Sequence, residues 1–382
     1  MNKKSLINSL NSRILLILVT FLFVFLLNIK LTTASEIPSC QDDYSLFSRY
    51  PVAYSNINEI VPLGNLNPTG GHVLPTDHIY FYLKQGEGEY YGVPLTTNLY
   101  APGRIWITSI SSSTHLSADP VFTDYDIEFS PCSEVVGSFG HVSSLSNKLA
   151  DAFNRAEGDC FTYWAGDSEY QRCNKQLSVK IKKGKKIGTA GGNQGQYALD
   201  LTLKDYRIKN LKFASPSYWY EGRNKIVCPV DYFGSAKKTL LQNKILRTKK
   251  PICGKYVQDM KKRAKGVWFN KKASGTNWDE DYQLALISDN NHPELSVISV
   301  GQALKNKGIS AGAYTFSPQE SEFIDRKFNE VRPNNKLYCY EASSQVFLIK
   351  MRSNKKLRIG PAKNSSCNAE NWKFKDYKDF VR

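Results

Sequence analysis

Apolar and polar residues alternate with period two through most of the chain beyond residue 35, the mark of half-buried strands. The pattern predicts strands at 78–84, 103–110, 126–129, 179–182 and 197–203, separated by Gly, Pro and Ser clusters as an antiparallel β domain requires. A second set follows at 267–269, 283–287, 295–300, 313–316, 336–340, 345–351 and 357–359, a spacing that suggests a compact β sandwich or barrel. Helical periodicity is confined to short stretches. Leu149, Ala150 and Phe153 share a face over 146–156, and 236–250 reads as a basic helix. Lys and aromatic residues crowd between 206 and 235, around Tyr218-Trp219-Tyr220, where a linker is expected.

The first 34 residues break this pattern. Lys3, Lys4 and Arg13 precede an almost wholly apolar run from Ile14 to Leu27, and Thr32-Thr33-Ala34 offers a small-residue cleavage site. The run makes about 21 Å of helix against a hydrocarbon core of about 30 Å, so a cleaved signal peptide is expected in preference to a retained anchor. Ile37-Pro38-Ser39-Cys40 is a poor match to a lipoprotein box. The expected location is secreted or extracytoplasmic, in a periplasm or at a cell surface, with retention by the apolar segment as the variant.

All eight cysteines lie beyond this segment, which in an exported chain reads as disulfides. Local pairs cost least loop entropy, which favours 160–173, 228–253 and 339–367 and leaves 40–132. No CxxC occurs, so a cysteine metal site is set aside. Charge is uneven. Residues 35–205 hold 13 Lys+Arg against 19 Asp+Glu, and residues 206–382 hold 34 against 16. Such a basic second half suggests an anionic partner, a cell-envelope polymer or a membrane surface, beside the plainer reading of a soluble Lys-rich face. Export argues against nucleic acid, and nothing indicates a nucleotide, flavin or haem.

Three pieces carry the candidate chemistry. Gly140-His141-Val142-Ser143-Ser144-Leu145 is followed by a basic hairpin with Gly184, Gly188, Gly191 and Gly192, and then by the closing strand with Ala198-Leu199-Asp200-Leu201. Leu99-Tyr100-Ala101-Pro102-Gly103-Arg104-Ile105 precedes them. In this order they resemble the lysostaphin-like zinc endopeptidases, which cut peptidoglycan cross-bridges, over about residues 60–206. The resemblance implies a mainly β fold of the duplicated hybrid motif kind, an antiparallel half-barrel or sandwich over 35–206. It makes 147–175 a short helical insertion pinned by a local disulfide and overhanging the groove. A second small β-rich domain of unknown type, 236–382, would follow the linker at 207–235.

The resemblance also implies a zinc ion (Zn2+) held by His-x-x-x-Asp and by the second His of His-x-His, with the His of a Tyr-x-His strand as catalyst. A zinc hydrolase needs three protein ligands and an open position for water, whose pKa falls to about 7. His141 falls at the catalytic position. The other positions are altered: His72 and Asp77 are five apart rather than four, and His78 can take the aspartate's place. Asp200 stands for the ligand histidine, and Ala198 for its neighbour. His72, His78 and Asp200 would keep two imidazoles and one carboxylate, with Asp77 either orienting an imidazole or replacing His78 as ligand. Two functions follow: a zinc endopeptidase with atypical ligands, cutting envelope peptide, or a degenerate homologue that binds an envelope polymer or partner without catalysis. Of the remaining histidines, His115 reads as a solvated turn and His292 as a turn between strands. Lys261, Lys262, Arg263 and Lys265 read as a solvated face, with a polyanion site as the alternative.

Overall fold

Two antiparallel sheets account for the architecture of the computed structural model, which describes residues 36–41, 44–87, 92–165, 168–193, 195–219, 221–270, 280–369 and 371–382. The expected signal segment lies outside the described residues. The first sheet comprises β1 (Ile57–Val61), β2 (His78–Leu83), β3 (Thr97–Tyr100), β4 (Ile105–His115), β5 (Phe122–Cys132) and β6 (Val135–Leu145). After α1 (Asn147–Arg155) it continues with β7 (Gly158–Ala165), β8 (Ser168–Ile181), β9 (Lys186–Ala190) and β10 (Ala198–Asp205). The strands run in the order β1-β2-β10-β6-β5-β4-β8-β7, while β9 pairs with both β3 and β6.

Alternation does what it predicts here. Ile79, Phe81 and Leu83 of β2, Leu199, Leu201 and Leu203 of β10, and Ile127 and Phe129 of β5 point into one hydrophobic core. Their sequence neighbours His78, Asp200, Asp124 and Asp126 therefore share the opposite face. The insertion is only partly helical. α1 buries Leu149, and the chain then doubles back as the β7–β8 hairpin, whose second strand pairs along the full length of β4.

After α2 (Ser235–Gln242) the second sheet comprises β11 (Gly266–Asn270), β12 (Leu284–Ser288), β13 (Ser296–Val300), β14 (Gly312–Phe316), β15 (Tyr338–Ala342), β16 (Gln345–Ser353), β17 (Lys356–Pro361) and β18 (Lys378–Val381). Its order, β14-β13-β12-β11-β18-β17-β16-β15, brings the two end strands beside one another. Ser343 N–H donates to Thr315 O at 3.1 Å, so the sheet curls nearly into a barrel. Trp268, Leu286, Ile298, Phe347 and Phe380 fill its interior.

Residues 207–235 do not behave as a loose tether. Phe213, Ile226, Val230, Tyr232 and Phe233 enter the core of the first sheet, and Ile37–Arg382 pack as one unit. The basic helix is shorter than expected and stops at Gln242, after which Ile245 turns into the same core. The three short-loop disulfides form as expected, 160–173, 228–253 and 339–367, and the remaining pair is 40–132. They suit an oxidising compartment. Among the described residues no helix is long and apolar enough to cross a membrane.

Candidate functional site

Strand register decides which polar side chains meet. Asp200 lies opposite Tyr80 on one side and Gly140 on the other, and His78 lies opposite Thr202. His78 and Asp200 are thus diagonal neighbours on one face, within reach of long side chains. A bulge completes the arrangement. Ile127 pairs with Phe139 and Tyr125 with Val142, so Gly140 and His141 together face Asp126 alone. His141 adopts φ 58°, a left-handed conformation rare for a residue with a side chain. Here β6 leaves β10 and takes up β9, which opens the cleft at His141. Gly140 admits the close approach: an added Cβ would lie 3.3 Å from both Asp200 Cβ and Asp126 Oδ1.

The resulting geometry is a chain of alternating carboxylates and imidazoles. His78 Nδ1 is 3.1 Å from Asp77 Oδ1, and His141 Nδ1 is 2.9 Å from Asp124 Oδ2. The opposite nitrogens converge on one oxygen: His78 Nε2 is 3.4 Å and His141 Nε2 3.6 Å from Asp200 Oδ2. His72 stands at the end of the 67–72 turn, its ring centroid 5.6 Å from that of His78. Arg223 Nη1 pairs with Asp77 Oδ2 at 2.7 Å. All five residues singled out in the sequence therefore sit in one cleft, with Asp77 placed as the partner of His78 Nδ1. Asp124 and Arg223 were not foreseen. The alternation of Asp124 and Asp126 with Tyr125 and Ile127 could have flagged the former, but no local pattern marks Arg223.

Burial and charge compete at each group. Burial tends to depress the His141 imidazole, but the hydrogen bond with Asp124 and the charges of Asp200, Asp124 and Asp126 push it up to about 9. Burial likewise opposes protonation of His78, and Asp200 and Asp77 outweigh it, so its pKa is raised. His72 moves the other way, lowered by burial and by His78. Burial would raise Asp77, yet the His78 hydrogen bond and Arg223 hold it down to about 2.

The donor set can be tested for fit to a divalent cation. His78 Nε2 and Asp200 Oδ1 are buried and make no hydrogen bond among the described residues. Two imidazoles whose far nitrogens are each held by a carboxylate are the usual surroundings of metal-bound histidines. Two imidazoles and a carboxylate are donor types a zinc-class ion takes. They are not drawn tight, however. Among the described residues, the only His, Cys, Asp or Glu donor atoms found in threes within 4.8 Å of one another belong to Cys40, Cys132 and Glu134, a disulfide and its neighbour. Ala198, where the resemblance implies the first histidine of His-x-His, joins Val61 and Tyr80 in a small apolar patch.

The same face extends away from the cleft. Asp124, Ser113, Arg172 and Phe161 lie in one row across β5, β4, β8 and β7. Arg172 donates to Ser113 Oγ at 2.9 Å and to Asp126 Oδ2 at 3.4 Å. The next row holds Phe122, His115, Tyr170 and Tyr163, whose rings lie 4.1, 4.8 and 5.4 Å apart in turn. His115 belongs to this aromatic row rather than to a solvated turn. No protein family, curated protein or solved structure matches the chain.

Proposed function

We propose that the chain is an envelope-directed hydrolase of lysostaphin-like type, exported, with a divalent metal centre of altered ligands. One observation carries this reading: two histidines, each with Nδ1 against its own carboxylate, turn their Nε2 atoms toward the same Asp200 oxygen. His78 and Asp200 would hold the ion, with His72 reaching in from the loop, and a zinc-class ion there supplies Lewis acidity and a water of pKa near 7. Asp77 fixes the His78 tautomer, and Arg223 keeps Asp77 ionised. His141 is more accessible than His78, its side chain 45% exposed against 13%. It is therefore placed to move a proton at Nε2 at the mouth of the cleft, with Asp124 stabilising its charged form. The polar and aromatic rows beyond Asp124 would receive the rest of an extended substrate, a peptide of the cell envelope.

Asp77, Asp124, Asp126 and Asp200 face Arg172 and Arg223, leaving two negative charges that either two protonated imidazoles or one divalent ion would balance. Cation binding should then release protons from His78 and His141.

The alternative is a non-catalytic binding protein of the envelope, favoured by the loose donor spacing and by Ala198. Metal content of protein purified without chelators separates the two. About one zinc per chain, lost in His78→Ala and Asp200→Ala, together with peptidoglycan hydrolysis lost in His141→Ala, supports the hydrolase. A folded protein that takes up no metal at micromolar zinc supports the binding role.

A further inference from the structure

The acidic first half concentrates its cations at one place. Five of the 13 Lys and Arg residues between 35 and 205 fall within the seven residues from Lys180 to Lys186. The turn at Lys183-Gly184-Lys185 closes through Gly184 N–H to Ala101 O and Lys185 N–H to Lys182 O. Gly184 has φ 74°, and an added Cβ would lie 3.3 Å from Arg49 Cδ, so glycine both makes the turn and admits Arg49 over it.

These residues line a cavity of about 670 Å³ together with Tyr50, Tyr100 and Lys237. No carboxylate lines it, and among the described residues none pairs with Arg49, Lys183, Lys185 or Lys237. Lys238, the next residue, by contrast pairs with Asp231 at 2.6 Å. The Arg49 guanidinium stacks on the Tyr100 ring at 4.1 Å, which fixes its plane and leaves its edges for ligands. Lys237 lies 5.2 Å from the Tyr50 ring centroid, and the Tyr50 hydroxyl is buried with no hydrogen-bond partner among the described residues. Four cations around a concave, tyrosine-walled space, one of them a preorganised planar fork, match a phosphate group better than a single carboxylate. The cavity shares no residue with the histidine cleft and lies at the end of β9 away from Val142.

We infer that the cavity walled by Arg49, Tyr50, Tyr100, Lys183, Lys185 and Lys237 is an anion-binding site that takes a phosphate group. The phosphate is carried either by a soluble phosphorylated polymer or by a lipid headgroup. Such a site would hold the exported chain against an anionic envelope whether or not the cleft is catalytic.

The test uses the full exported chain and two probes, soluble polyphosphate by calorimetry and vesicles of phosphatidylglycerol or phosphatidylcholine by sedimentation. Saturable polyphosphate binding that weakens about tenfold or more in Lys183→Glu/Lys185→Glu is expected, because each lost charge-assisted contact alone is worth about that factor. These lysines are exposed, so the double variant should melt with the parent. Arg49→Lys keeps the charge and removes the fork; weakened binding there assigns the planar contact. Preference for phosphatidylglycerol vesicles over polyphosphate identifies a headgroup, and the reverse identifies a polymer. Saturation by neither probe overturns the inference, as does binding unchanged in the double variant but lost in Lys261→Glu/Lys262→Glu. Metal content and hydrolysis stay at parental levels in every arm, which separates this result from the fate of the metal reading.

Discussion

The two sheets use the same strand chemistry to opposite ends. In the first, β2 and β10 hide one face and leave His78 and Asp200 on the other, where charge collects. In the second, β11, β12 and β13 are buried on both faces. Trp268, Leu284, Leu286 and Ile298 fill the near-barrel, while Val267, Phe269, Ala285 and Ile287 pack outward. What covers that outer face is the loop carrying the site: Val73 and Leu74 join the same cluster. Ser299 Oγ donates to Val73 O at 2.7 Å, and Leu74 N–H donates to Glu280 Oε1 at 2.7 Å. One sheet presents the titratable groups, and the other grips the segment that delivers His72 and Asp77. The apparently inert half is therefore part of how the cleft is held.

The largest effect should come from the carboxylate that both imidazoles face. On the hydrolase reading, Asp200→Ala should abolish stoichiometric zinc and peptidoglycan hydrolysis while near-parental melting is retained, read by metal analysis and thermal denaturation. The second sheet should respond in the opposite sense, through stability. Trp268→Ala leaves a void, strands the Ala264 carbonyl and removes the ring beneath Arg382, and should cost about 3–5 kcal/mol in urea unfolding. If the grip on the loop matters, zinc affinity should fall as well in the fraction that stays folded.

Smaller effects sharpen the contrast. Asp124→Asn keeps the shape of the cleft but loses the charge behind His141, and on the hydrolase reading should lower activity about 10–100-fold with little change in zinc content or melting. Its pH profile should shift to lower pH, because the raised His141 pKa depends on that carboxylate. The weakest expected signal sits at the junction. Burial pushes Glu280 up to about 7, and only the Leu74 N–H and Arg223 pull it back. The folded state therefore holds a proton that the unfolded state releases near pH 4.5, so this group's contribution is full below that pH. It is lost as pH rises through about 7. Glu280→Gln should flatten that decline, as measured by melting across pH 4–8.

Much of the second sheet was legible because most of its strands are short apolar runs bounded by turn residues. The seven expected segments overlap seven of its eight strands, and β18, with its mixed Lys378, Asp379 and Phe380, gave no such run. The hairpin at β7 escaped for a related reason: Phe161, Tyr163 and Trp164 are exposed, so no buried face imposes an alternation. Residues 207–235 misled through composition. Lys and aromatic residues crowded together read as a boundary, yet Ile226, Val230 and Phe233 recur there often enough to fill a core that only the assembled sheet creates.

By itself the sequence pointed to the β character of both halves, to the three short-loop disulfides that chain entropy favours, and to the titratable residues worth watching. These follow from local periodicity, chain entropy and side-chain chemistry, which need no partner to be read. Tertiary structure alone decided that His78 rather than Asp77 faces Asp200. It likewise turned His141 into the cleft through a bulge, and brought Arg223 from a distant segment to neutralise Asp77. Those outcomes depend on strand register and on contacts between residues more than a hundred positions apart, and no local pattern encodes them.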